Sequence, residues 1–338
     1  LNILLIQLKR IGDLILTVPA VAALRKHFPD AKLSLVVSHG CRELVPAIPG
    51  ISRTFVAKGN FADATEWLTV ASNRYSYCLD FTGNDRSALV TFLSRARKRI
   101  TYTKVKRAGI RALTYNQFVD SKPRFAHTVD LHLALLGPLG IHDASPTVHL
   151  SVPKRAREHA SKLLGENDIS SDFIIFHPGS ARPEKFWIAS RWAELIGYAA
   201  TKLRMRCVLT GGASTLEQEH IAAIRSATRQ PVLDLSGKMD LLALTALIAR
   251  GRMLVTVDSA PMHLAGAMRT PQVILFGPTN PFHWRPRSSR ALIVQAGSPE
   301  PVTHFSPEHT RVPMNEISTE QVIRAMESVL SASAAPSQ

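Results

Sequence analysis

The stretch VTVDSAPMHLAGAM, Val255 to Met268, places an acidic turn, a proline and a histidine directly behind an apolar run. That run alternates too little to be half exposed and reads as a strand of a parallel sheet. Asp258 and Ser259 are both N-cap types and Pro261 suits a first helical turn, so a helix starts here with His263 one turn in. Its free N–H groups would face whatever lies above the sheet edge, where open α/β sheets bind ligands and where phosphate is favoured. A plain capped helix with a packed, hydrogen-bonded His263 accounts for the same residues.

Two further turns in the same half share this character. HPGSARPEKFW follows FIIF and TGGAST follows CVLT, so small and polar residues stand where strands end. Gly179, Gly211 and Gly212 allow close backbone approach, and Ser180 and Lys185 can bond phosphates. Neither GxxxxGK[ST] nor GxGxxG occurs, so a P-loop and a dinucleotide fingerprint are unsupported. Early in the chain, QLKRIGDLILTVPAV sets Gly12 and Asp13 between a strand and its helix, with Pro19 expected to bend that helix. Asp13 is either a helix cap or a carboxylate placed to act as a base.

Elements that could position these residues alternate along the chain. In the first half, NILLIQL, KLSLVV and YSYCLDF read as strands, with helices beginning near Asp13, Phe61, Asp85 and Phe125. After GIHDASPTVHLSVP come a helix from Lys154, strand DFIIF, a helix from Ser190, strand RCVLT and a helix from Leu216. Then follow strand VLDL, a helix from Leu241, strand RMLVTV, a helix from Met262 and strand QVILF. The expected organisation is a domain over 1–150, a second over 151–316, a terminal helix over 317–332 packing back across the junction, and a loose tail over 333–338.

Composition bounds the function. The 338 residues are 45% hydrophobic, enough for two cores. Lys and Arg outnumber Asp and Glu by 41 to 26, a net charge of +15 that implies an anionic partner. Between Ala96 and Arg111 stand seven basic residues and no acidic one, either a solvated face or an anion-facing surface. Cys41, Cys78 and Cys207 have no metal-ligand spacing, so neither zinc nor a disulfide framework is expected and a reducing compartment suits the chain. LILTVPAVAAL looks superficially like a signal-peptide core, but the strand-like NILLIQL before Lys9 and Arg10 does not suit an n-region. No apolar run approaches the roughly 18 residues of a membrane span, so a soluble or peripheral protein is expected.

Arg10-Ile11-Gly12-Asp13 with LTVPAV, DFTGNDRSAL, HPGSARPEKFW before RWAELI, the GG turn before Glu217, LSGKMDLLALTALI, and VDSAPMHLAGA before VILFGPT together resemble the bacterial heptosyltransferases of glycosyltransferase family 9. The resemblance spans almost the whole chain in motif order. It implies an α/β fold of GT-B architecture, two Rossmann-like doubly wound domains facing a central cleft, with the N-terminal one for the acceptor and the C-terminal one for the donor. The activity implied is inverting transfer of heptose from ADP-heptose to the inner core of lipopolysaccharide, in the cytoplasm at the inner membrane face. By the same resemblance Asp13 is the general base, Lys185 contacts the diphosphate, Glu217 lies near the nucleoside and Met239 lines the adenine pocket. Asp258, Ser259, Ala260 and His263 contact the donor heptose or diphosphate.

Inversion needs one in-line attack, hence a base on the acceptor hydroxyl and stabilisation of the leaving diphosphate. A helix N-terminus is expected to lower the pKa of Asp13, and an oxocarbenium-like transition state would tolerate so weak a base. No Asp-x-Asp occurs, which favours stabilisation by Lys185, helix N–H groups and Arg182, with no metal or other cofactor. On the acceptor side, Gly12, Arg86, Lys104, Lys106 and Arg107 could meet the carboxylates and phosphates of a lipid-linked core. Many relatives carry cysteines around PVTHFSPEHTRVPM, and this chain has none there. Two alternatives stand beside this reading. One is a GT-B enzyme with another nucleotide sugar or a non-lipopolysaccharide acceptor. The other is a non-catalytic nucleic-acid-binding protein, for which no recognised motif speaks, so no nucleic-acid partner is expected.

Overall fold

The computed structural model describes all residues except 60–62, 121, 288–289, 309 and 335–338, together with the side chains of 333–334. The expected helix start at Phe61 and the end of the expected tail lie outside the described residues. The chain divides into two compact units, Leu1–Ser151 and Val152–Gln338.

The first unit holds β1 (Asn2–Gln7), β2 (Lys32–Ser38), β3 (Arg53–Ala57), β4 (Tyr77–Asp80), β5 (Lys98–Tyr102) and β6 (Gln117–Val119). All pair in parallel in the order β3-β2-β1-β4-β5-β6. The second unit repeats the plan with β7 (Phe173–His177), β8 (Arg206–Leu209), β9 (Leu233–Asp234), β10 (Met253–Val257), β11 (Gln272–Phe276) and β12 (Ala291–Gln295), ordered β12-β11-β10-β7-β8-β9. Each sheet therefore winds outward both ways from a central pair, β1 with β4 and β7 with β10. These are the points where successive crossovers leave in opposite directions and open a crevice at the strands' C-terminal ends. Both units are Rossmann-like.

Central strands read as unbroken apolar runs because both faces are covered: β7, β10 and β11 are buried at every position. In the second unit Trp187 and Phe176 meet Trp192 edge-on at 5.4 and 6.4 Å. The last helix, Thr319–Ala334, expected to reach back across the junction, buries Val322, Ala325, Met326 and Val329 in this second core. In the first unit Leu4, Ile6, Val36, Phe55 and Val90 share one cluster.

Four strands went unread in the sequence: β3, β5, β6 and β12. β5 hides inside the basic run as KRITY, and Arg99 there is spent on backbone, donating to the carbonyls of Thr114 at 2.5 Å and Ala96 at 2.8 Å. The run is thus not one continuous face but a strand followed by two 3-10 segments, Thr103–Arg107 and Gly109–Thr114. Pro19 does not bend one long helix. It opens a second helix, Val18–His27, after a short Ile11–Ile15. All three cysteines are free and buried. Among the described residues no helix is long and apolar enough to cross a membrane.

Candidate active site

In the second unit the candidate residues gather where β7, β8 and β10 end. Lys185, in the 3-10 turn Pro183–Lys185, sends its ammonium to the Asp258 carboxylate at 2.5 Å and to the Asp258 carbonyl at 3.0 Å. Thr279, just past β11, donates to the same carboxylate oxygen at 2.6 Å. Both members of the ion pair are buried, at 9% and 7% exposure, so removing either would leave a buried charge without its counter-charge. Asp258 is therefore not the cap of the following helix. Ser259 is the N-cap of Ala260–Met268, and its side chain makes no capping bond; in that first turn Pro261 has no N–H and the Met262 N–H donates to the Ser259 carbonyl at 3.2 Å. His263 lies buried on that helix with an Nδ1 that has no hydrogen-bond partner among the described residues. Burial holds its imidazole down to about 4, against the pull of Asp258, so it is neutral at ordinary pH.

A second cluster forms where β8 ends. Ser214 caps the helix Thr215–Ala227 and Glu217 stands at its third position, where its carboxylate accepts from the Gly212 N–H at 2.7 Å. A methyl group on Gly212 would lie 2.8 Å from Glu217 Oε1, and one on Gly179 would collide with Oε2. Two glycines from different turns therefore make room for one carboxylate. Gly211 accepts from Gly237 N–H at 2.9 Å, linking this turn to the loop after β9. Met239 sits half-buried farther along that loop. Ser180 is buried and accepts from Arg182 N–H at 3.3 Å, whereas the Arg182 guanidinium is engaged by Glu184, with Nε at 2.6 Å from Oε1.

In the first unit Gly12 and Asp13 lie in the helix Ile11–Ile15, past the end of β1. Arg10 is the N-cap, so Asp13 is a first-turn residue rather than a cap. Its carboxyl is raised above the usual range, chiefly by burial, which outweighs the lowering by Lys9 and the Arg10 backbone N–H. The expectation of a lowered pKa was wrong because loss of solvent exceeds what the helix end and the Lys9 ammonium, 3.9 Å away, return. Beneath the loop a buried network fixes the chain. Thr17 hydroxyl donates to the Asp13 carbonyl at 2.8 Å and accepts from Gln7 at 3.0 Å, and His132 Nδ1 lies 3.1 Å from that hydroxyl. Leu8 N–H donates to Thr82 at 2.8 Å, joining the loops after β1 and β4. Asp80, wholly buried at the end of β4, is satisfied by Tyr115 at 2.6 Å and by two backbone N–H groups.

The proposed acceptor residues separate into two places. Lys104 feels both Lys9 and Asp13 and has its pKa lowered by burial first and then by Lys9, so it belongs to the Asp13 neighbourhood. Lys106 and Arg107 are exposed on the same 3-10 segment. Arg86 is 3.9 Å from Asp63, whose carboxylate also accepts from Lys58 and Gly59 N–H, at the end of β3.

Residues 67–310 match the family model described as glycosyltransferase family 9 (heptosyltransferase). The chain belongs to this family. It is a glycosyltransferase of the heptosyltransferase type, with the two parallel α/β sheets of a GT-B enzyme. Lipopolysaccharide heptosyltransferase 3 of Escherichia coli is 25% identical over 336 residues, covering 95% of this chain and 97% of its own. Among solved structures, a family 9 glycosyl transferase from Veillonella parvula is 24% identical with a TM-score of 0.84, covering 98% of this chain and 97% of its own. The heptosyltransferase WaaC of E. coli, solved with ADP, is 19% identical with a TM-score of 0.76, covering 97% and 100%.

In this heptosyltransferase the second unit offers a buried cation, the start of a helix and a neutral imidazole, a set suited to a phosphorylated ligand. The first unit offers a carboxylate of raised pKa 3.9 Å from the Lys9 ammonium. Thr279, His177 and the Gln7–Thr17–His132 network were not singled out from the sequence. Thr279 ends the quoted VILFGPT and His177 opens HPGS, so both stood inside motifs, whereas His132 lies more than a hundred residues from Asp13 and nothing local marks it.

Proposed function

We propose that the chain transfers heptose from ADP-L-glycero-β-D-manno-heptose to the inner core of lipopolysaccharide with inversion, working peripherally at the cytoplasmic face of the inner membrane. The observation that carries this is the buried Lys185–Asp258 pair beside the helix Ala260–Met268 at the switch point of the second sheet, in a family 9 chain. An ammonium has three N–H donors, and Asp258 takes two of them, which leaves one for a diphosphate oxygen. Asp258 fixes the ammonium for that contact, Ser259 and Ala260 present helix-start N–H groups, and neutral His263 can donate to the sugar or phosphate. Glu217, with Gly211 and Gly212, suits a ribose hydroxyl or adenine amine, and Met239 suits a base face. Ser180 and Arg182 border the phosphate side.

Asp13 takes the proton as the acceptor oxygen attacks the anomeric carbon and the bond to the diphosphate breaks, with ADP leaving with the electron pair. A carboxyl of raised pKa is a better base than an ordinary aspartate, which suits this role. Gly12 gives the acceptor room, and Arg86, Lys104, Lys106 and Arg107 meet its acidic groups.

The test is mass-spectrometric detection of transfer from ADP-heptose to a graded set of truncated lipopolysaccharides, with wild type and Asp13→Ala in parallel. A heptose mass gain with wild type alone is expected. No transfer to any acceptor would overturn the substrate assignment and turn the search to other nucleotide sugars and acceptors. Because the chain has no Asp-x-Asp motif and Lys185 and the helix N–H groups suit the diphosphate, activity is expected to survive EDTA. Loss that Mg²⁺ restores would sink the metal-free reading.

A further inference from the structure

The 3-10 segment Gly109–Thr114 follows β5 and Thr103–Arg107 at the C-terminal edge of the first sheet. It holds two of the most exposed large apolar side chains among the described residues, Ile110 at 87% and Leu113 at 81%. The segment is not loose. Val105 before it and Tyr115 after it are buried in one cluster with Ala88, and Tyr115 is bonded to Asp80. Arg111, between the two apolar residues, donates to Asp85 at 3.0 Å and ties the segment to the helix Asp85–Leu93. Four and seven residues beyond Asp85, on the same helical stripe, stand Leu89 and Phe92, 51% and 66% exposed. Lys104, Lys106 and Arg107 immediately precede the apolar pair and are exposed.

A fold that anchors a segment and yet leaves isoleucine and leucine in water, beside uncompensated cations, builds the side-chain set of an interfacial membrane anchor. We propose that Ile110 and Leu113 insert into an anionic phospholipid bilayer while Lys104, Lys106 and Arg107 lie at its headgroup level, where the acidic groups of a lipid-linked acceptor also stand. The occupant is a lipid surface rather than a second copy because a net charge of +15 and a basic rim repel a like chain. Asp13, past the end of β1, and Lys104, past the end of β5, stand on the same C-terminal edge of the first sheet, so the same contact turns the edge that carries the proposed base toward a lipid-linked acceptor. The inference deepens the peripheral location proposed above, and it rests on that reading only for this last consequence.

The test uses the full chain and vesicles that contain no acceptor, so its outcome is independent of the sugar chemistry. Co-sedimentation is measured with phosphatidylcholine vesicles and with vesicles containing about one-third phosphatidylglycerol. Wild type is expected on the anionic vesicles only, less so in high salt. I110N/L113N should bind roughly tenfold more weakly, with an unchanged melting temperature because both side chains are exposed. Ile110→Trp should blue-shift in emission on the anionic vesicles, a readout that does not depend on the polar variant folding. Undiminished binding of I110N/L113N, no emission shift, or no wild-type binding would each overturn the proposal. So would a wild-type dimer that I110N/L113N converts to monomer without any effect of vesicles, which would assign the patch to a second copy.

Discussion

Asp13 and Lys185 show how burial changes what a charged residue can do. Asp13 is raised by desolvation and restrained by the Lys9 ammonium, so the base becomes competent only as pH climbs through an elevated carboxyl pKa. The acid limb of kcat/KM should therefore lie above that of an ordinary aspartate. Lys9→Met, which removes a charge that lowers the pKa, should move the limb to higher pH; a limb that stays in place would remove Asp13 from the proton transfer. Lys185→Ala should be costly for a different reason. It leaves the Asp258 carboxylate buried with Thr279 as its remaining side-chain hydrogen-bond donor among the described residues, a loss of about 3–5 kcal/mol for breaking such a pair. Denaturant unfolding should show this loss, and donor binding should fall with it.

At the level of elements, function depends on turns that carry small residues between a strand and a helix. The turn after β8 works because Gly212 offers an N–H and no side chain to Glu217, while Ser214 caps the helix that presents that carboxylate. Gly212→Ala should displace Glu217 and raise KM for the nucleotide sugar several-fold, with kcat little changed. Equal loss in both would place Glu217 in the chemical step. The turn after β1 relies instead on a distant helix. His132, on Thr128–Ala134, and Gln7, at the end of β1, both reach the Thr17 hydroxyl that holds the Asp13 carbonyl. Thr17→Val should remove about 1 kcal/mol of stability and lower kcat while leaving donor KM alone. A variant with wild-type kcat would show that Asp13 is positioned without the network.

At the scale of the molecule, His132, His177 and His263 are buried and neutral near the C-terminal ends of the strands. Burial pushes His132 down to about 3 and His177 and His263 to about 4. The unfolded chain takes up protons near pH 6.5 and the folded one does not, so stability present above that pH is lost as pH falls toward 4. Each group should contribute roughly 1–2 kcal/mol of loss between pH 7 and 5. Denaturation midpoints measured over this range should fall, and less steeply for His177→Gln. A flat profile would mean that these rings charge within the fold.

The sequence by itself determined the class of this protein. Fully buried parallel strands have apolar runs, capped helices have cap residues, and glycine turns have glycines, so the alternation of β and α and the turns after β7, β8 and β10 were legible as local patterns. The family motifs lay in the same turns, which is why the heptosyltransferase character could be read before any coordinate. Tertiary structure alone decided the state of the residues. That Asp258 holds Lys185 rather than a helix end, that Arg182 is occupied by Glu184, and that Asp13 is raised rather than lowered all depend on burial and on partners far away in the chain. It also decided that the basic run is one strand followed by two short 3-10 segments, the second of them showing its isoleucine and leucine to solvent. Charge and hydrophobicity are properties of residues, but solvent exposure is a property of the folded chain.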